Sequence, residues 1–223
     1  MLELVSDFSP AQWLGDEAEA CLEFPDDNLW FRSTILGPRG YNKYARLLFI
    51  PDPVSEGLSE NEGGRFTDFE LGEREQLEFA VGDMLPYTNT PDDGYIAIWD
   101  GWGSSLAPAL EAKPKFDIPD RAYFVFRADL RKFASGDVNK YWMSQADILA
   151  ERVLFEGGYE YIHHMPVPAF IWPADRAWCI ANDVDPHYAG IGGSAEAIAA
   201  VLSDSRLHAK PQKWEAQIPH YGI

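Results

Sequence analysis

Strand-like and helix-like stretches follow one another in this 223-residue chain without strict alternation. A regular βαβ pattern would demand a parallel sheet with crossover helices. Here Gly/Pro turns separate neighbouring β-rich runs, which calls for hairpins and an α+β fold with a mostly antiparallel sheet and helices packed on it. "WFRSTIL" (Trp30 to Leu36) and "YARLLFI" (Tyr44 to Ile50) flank "GPRGYNK" and read as a hairpin. Further strands are expected in "YIAIWDGWGSS", "RAYFVFRADL", "AFIW" and "AWCIANDV", with a turn at Pro173 between the last two.

Helices are legible by period and by caps. Ser9-Pro10 opens one that runs into "AQWLGDEAEACLEF", with Trp13, Ala20 and Phe24 near one face. In "EREQLEFAVGDML", Leu77, Ala80, Val81, Met84 and Leu85 recur at helical spacing, and Pro86 ends the run. Asp137 to Val153 reads as helical. "GIGGSAEAIAAVLSD" reads as a loop and then a helix with Ile198, Val201 and Leu202 inward.

Hydrophobic residues make up 46% of the chain, enough for a core without disulfide or metal, and the length suits one domain over residues 1–223. The formal net charge is −18. Such a surface repels phosphate, which argues against nucleic acid and anionic membrane as partners. It favours a basic protein or a cationic ligand, beside its plain effect on solubility. Ten acids and two bases lie between Asp52 and Asp83, and the part around 52–72 reads as an acidic surface loop. No leader-like or membrane-length apolar run is found, so a cytoplasmic protein with reduced Cys21 and Cys179 is expected.

Candidate chemistry is sparse. Cys179 lies between two alanines on one face of its strand and reads as structural, packed beneath the helix from Ser194 to Asp204. Asp183, Asp185 and His187 have a spacing that suits a divalent ion on one strand face, but Pro186 interrupts it and an acidic strand end reads equally. His163 or His164 could serve as a general base in a hydrolase with nearby carboxylates, yet no partner motif accompanies them and packing is the plainer role. "GIGGS" could hold an anion at a helix N-terminus; without a P-loop lysine it reads as a tight turn with Ser194 or Gly193 as cap. No catalytic residue, metal ligand or cofactor is therefore assigned.

The tryptophans carry the remaining signal. Trp102 lies between Gly101 and Gly103, and Trp172 precedes Pro173. Both are expected to be partly exposed on one concave surface. Trp99, Asp100, Trp102, Trp172, Asp175, Arg176 and Trp178 form the candidate binding set, aromatic with acidic edges. Arg176 is expected to pin its strand through a bidentate carboxylate partner. The reading is a non-catalytic acidic protein that binds a partner or ligand through this set.

"YTNTPDDGYIAIWDGWG" and "WPADRAWCIANDVDPHYAGIGGSAEAIAAVLSD" together resemble a family of actinobacterial proteins of unassigned function. That family carries a W-x-G-x-G segment and a W-P-x-D-R-x-W-C segment in the same order, and "YNKYARLLFIPDP" is similar to its early Y-A-R strand. This chain departs at Gly94-Tyr95, where the family often has Cys-Trp. The resemblance implies architecture and an actinobacterial source, not chemistry. A looser similarity, in layout, acidity and the late helix, links the chain to SUKH-type immunity proteins and implies an immunity-like role.

Overall fold

The computed structural model describes residues 2–22, 29–55, 57–64 and 70–222. Its elements follow in the order β1 (Glu3–Leu4), α1 (Gln12–Leu22), α2 (Leu29–Leu36), β2 (Lys43–Leu48), α3 (Glu60–Gly64), α4 (Glu73–Met84), β3 (Gly94–Trp99), α5 (Pro108–Glu111), β4 (Phe116–Ile118), β5 (Arg121–Ala128), α6 (Leu130–Ala134), α7 (Asp137–Ser144), β6 (Arg152–Leu154), β7 (Glu160–Ile162), β8 (Phe170–Pro173), β9 (Cys179–Ala181), β10 (Tyr188–Gly193), α8 (Ala195–Ser203) and β11 (Ala209–Gln212). Single 3₁₀ stretches cover Leu85–Tyr87 and Asp100–Ser105. The expected α+β fold is what forms.

Nine strands make one sheet in the order β1-β5-β3-β8-β9-β10-β2-β11, with β4 also beside β5. Every pairing in it is antiparallel. Because side chains alternate across a strand, each strand feeds two apolar layers. Ile96 and Ile98 on β3, Phe124 and Phe126 on β5, and Trp178 and Ile180 around β9 join α4, α6, α7 and α8 on one face. Ala97, Val125, Trp172, Cys179 and Ala181 meet α1 and β4 on the other. Strands β6 and β7 form a separate two-stranded sheet.

Four expectations are corrected. "WFRSTIL" is helix α2, not a strand. Its Ser33 and Thr34 hydroxyls fold back onto the carbonyls of Trp30 and Phe31, at 2.6 and 2.7 Å, and Gly37 at φ +85° stops it. "GIGG" is no loop; it lies within β10, and only Ser194 caps the following helix, its hydroxyl accepting from the Ala197 N–H. A Cβ on Gly190 would lie 2.3 Å from the Leu36 Cα, so the glycine is what lets the end of α2 rest on the strand.

The helix expected over 137–153 ends at Ser144, before turns that include Asp147 at φ +70°. Leu202 is exposed, and α8 turns Ala197, Ile198 and Val201 inward. Phe24, Glu56 and residues 65–69 of the acidic stretch lie outside the described residues.

Candidate binding surface

The sheet separates the residues that the sequence grouped. Trp172 and Trp178 are both 0% exposed and lie on opposite faces. Trp172 stacks on Tyr95, 5.5 Å between centroids, under the edge of Trp13. Trp178 sits against Gly193. Neither ring can meet a partner, which corrects the expected concave surface. The reason is register: Tyr95↔Trp172 and Gly94↔Pro173 are ladder pairs, so β8 keeps its pairing through Pro173 and carries Trp172 inside. Trp102 is half-buried and packs on the face opposite to Trp172.

Trp99 remains partly exposed, at the end of β3. Its ring folds over Gly101, where a Cβ would lie 2.2 Å away, and meets Trp102 edge-on at 6.4 Å. That glycine admits the chain's own ring rather than a partner. Arg121 lies 5.7 Å from the Trp99 ring and bridges the carboxylates of Asp183 (3.4 Å) and Asp185 (3.3 Å). Asp100 is held by Lys115 at 3.0 Å.

Asp175 and Arg176 shape a turn. The Asp175 carboxylate accepts from the Thr88 hydroxyl and the Asn89 N–H, both at 2.7 Å, and from the Ala177 N–H at 3.1 Å. Burial opposes its ionisation, but these donors outweigh it and hold the carboxyl below its ordinary value. Arg176 adopts φ +54°, and its guanidinium lies 5.3 Å over the Trp13 ring. An aromatic face thus takes the place of the expected carboxylate.

Of the three potential ligands, Asp183 and Asp185 share Arg121, while His187 turns away to Asp52. Asp183 is buried and accepts from Thr34 at 3.0 Å, while Asp185 is exposed. His187 Nε2 faces Asp52 at 3.2 Å and packs edge-on to Tyr221. Burial lowers its pKa more than Asp52 raises it. Asp52 also binds Arg46 and Lys210; burial opposes its ionisation, but these donors hold its carboxyl far below the ordinary range. Among the described residues, no three His, Cys, Asp or Glu side chains are grouped to hold a metal.

His163 is edge-on to Tyr161, 5.0 Å between centroids. His164 Nδ1 lies 3.1 Å from the Asn139 amide, and burial, with Arg74 nearby, lowers its pKa. Cys179 is fully buried and burial raises its thiol pKa. The expected burial is there, on the face of α1 and α2 rather than beneath α8.

The exposed aromatic surface lies elsewhere, on the β6–β7 hairpin. Of ten large hydrophobic residues exposed among the described ones, five fall between Ile148 and Tyr161: Ile148, Leu154, Phe155, Tyr159 and Tyr161. The register pairs Val153 with Tyr161, and Phe155 donates to the Tyr159 carbonyl at 2.9 Å. Directly paired residues share a face, so Val153, Phe155, Tyr159 and Tyr161 form one stripe, continued by His163. The turn Phe155-Glu156-Gly157-Gly158 needs its glycines, at φ +107° and +81°. Three glutamates (151, 156, 160) against Arg152 make the hairpin acidic.

The helix expected from the sequence runs to Val153, into the start of β6, and no element is expected over the rest of the hairpin. The available signal was period-two placement of Val153, Phe155, Tyr159 and Tyr161 around a Gly-Gly turn. No described helix is long and apolar enough to cross a membrane. No protein-family model, curated protein or solved structure matches the chain.

Proposed function

We propose that this chain is a non-catalytic binding protein that engages a basic protein through the aromatic stripe and glutamates of the β6–β7 hairpin. The observation that carries the reading is the gathering of Phe155 (57% exposed), Tyr159 (76%) and Tyr161 (45%) on one projecting ribbon. A two-stranded ribbon gains little by showing such rings to water, and contiguous exposed apolar surface marks interaction sites. The net charge of −18 steers a basic partner towards it, and the exposed rings offer apolar contact once it arrives. A cytoplasmic setting, and an immunity-like role in which an acidic protein caps a basic one, fit this reading.

The test uses a fluorescent eight-residue peptide alternating arginine and valine, with a glutamate-valine control. The arginine peptide should bind, more weakly as salt rises. Binding should fall at least tenfold in a Phe155→Ser/Tyr159→Ser variant whose melting temperature is unchanged. Equal affinity of variant and parent at every salt concentration overturns the reading.

A further inference from the structure

The main sheet has protected edges. Strand β11 closes one side with Lys210 and Pro211, a charge and a residue with no N–H. On the other side β1 and β4 both pair with β5, covering its far edge at residues 126–127 and 121–123. The β6–β7 ribbon is less protected: among the described residues no third strand lies beside it, β6 carries a single cation in Arg152, and β7 contains neither proline nor a cation.

The hydrogen-bond pattern says which groups face outward. Phe155 donates to Tyr159, and His163 donates to Glu151 at 3.1 Å, so these are the bonded pairs of the antiparallel ladder. Arg152↔Ile162 and Leu154↔Glu160 are the pairs between, whose main-chain N–H and C=O groups point away from the partner strand. On β7 the outward groups are those of Glu160 and Ile162.

We infer that a basic partner docks by adding an extended segment as a third strand along β7. This rests on the reading of the hairpin as a docking surface. The outer edge of β7 fits better than that of β6 on charge. A strand beside β7 places alternate side chains next to Glu160, whose carboxylate holds Arg152 across the ribbon through Oε1 at 2.6 Å and can take a second cation through Oε2. A strand beside β6 would meet Arg152 instead. The residues between fall beside Tyr161 on the aromatic stripe, where β-branched side chains pair well. Main-chain bonds then supply affinity, and the alternation supplies specificity for a segment of cations interleaved with β-branched residues.

The experiment compares three peptides on the full chain: the arginine-valine octapeptide, the same peptide N-methylated at four central residues (two donors on each edge), and a scrambled peptide with the cations contiguous. Strand addition predicts at least a tenfold loss on N-methylation and a smaller loss on scrambling. Glu160→Pro, which removes one outward donor, should also lose the octapeptide, while Glu160→Gln should lose less. If the N-methylated peptide binds as tightly as the parent, strand addition is overturned and the docking surface stands. If no arginine peptide binds, both fall.

Discussion

Arg46 and Asp52 form a bidentate ion pair, at 2.5 and 3.1 Å, with the arginine side chain only 5% exposed. The guanidinium also donates to Gln212 through Nε at 3.0 Å and lies 5.0 Å over the Tyr188 ring. Lys210 and His187 converge on the same carboxylate. One aspartate thus ties β2 to β11 and to the start of β10.

Removing that aspartate leaves a buried guanidinium short of its anion. Asp52→Ala should therefore cost about 3–5 kcal/mol in urea unfolding. Replacing both partners with apolar residues, Arg46→Met with Asp52→Leu, should cost less than Asp52→Ala alone. A loss below about 1 kcal/mol for Asp52→Ala would show that the pair is dispensable.

The second prediction concerns pH. Asp83 on α4 has one carboxyl oxygen buried without a hydrogen-bond partner among the described residues. Burial and then the neighbouring Asp204 carboxylate raise its pKa from 3.8 to about 6. Asp204 itself is lowered to about 2, chiefly by its hydrogen bonds with Arg206. For Asp83 the folded value lies above the unfolded one, so its contribution to stability is fully present below about pH 3.8 and is lost as pH rises through about 6. Asp204 behaves oppositely, losing its contribution as pH falls from 3.8 through about 2. Between pH 4 and 7 the Asp83 effect should dominate the pair. Relative to the parent, Asp83→Asn should lose melting temperature on acidification from pH 7 to 5; a constant difference between the two proteins would show that Asp83 does not titrate in that window.

The tryptophans give a third. Trp172→Ala and Trp178→Ala should each cost about 3–5 kcal/mol, as for other buried aromatic truncations. Phe155→Ser and Tyr159→Ser should each stay within about 0.5 kcal/mol of the parent in thermal melts. Iodide should not reach the rings of Trp172 and Trp178 in the native protein.

A fourth tests the packing of α2. Gly190→Ala would set a methyl against the Leu36 backbone at 2.3 Å and the Ile35 carbonyl at 2.4 Å, where no flexible side chain can yield. Its expected cost exceeds the ~1–3 kcal/mol typical of overpacking. Near-parent stability would mean that α2 can leave the sheet without penalty.

That same contact explains what the residues disclosed and what they hid. The strands β3, β5, β8 and β9 and the helices α4 and α8 were legible because their apolar periods match their burial. In "WFRSTIL" the aromatic and β-branched residues favour a strand, and only docking on the glycines of β10, residues distant in sequence, makes it a helix. Gly37 just after Leu36 was the local stop signal. For the binding set, a tryptophan beside proline suggested a turn. The ladder pairing of Pro173 with Gly94, which no local pattern encodes, buried it. The hairpin's own pattern lies in the sequence, but its strands are only three residues each, and a helix expected as far as Val153 overlaps the first of them.

The position of β2 has a consequence for synthesis. Its neighbours in the sheet are β10 and β11, so β2 leaves the ribosome roughly 140 residues before its first partner strand begins. At about 5–20 residues per second, it waits some 7–30 s with both edges open. The ten acids between Asp52 and Asp83 emerge directly behind it. Throughout the wait, nascent chains on neighbouring ribosomes carry like charge next to an unpaired, largely apolar strand, and that charge repels one chain from the next until the C-terminal strands arrive.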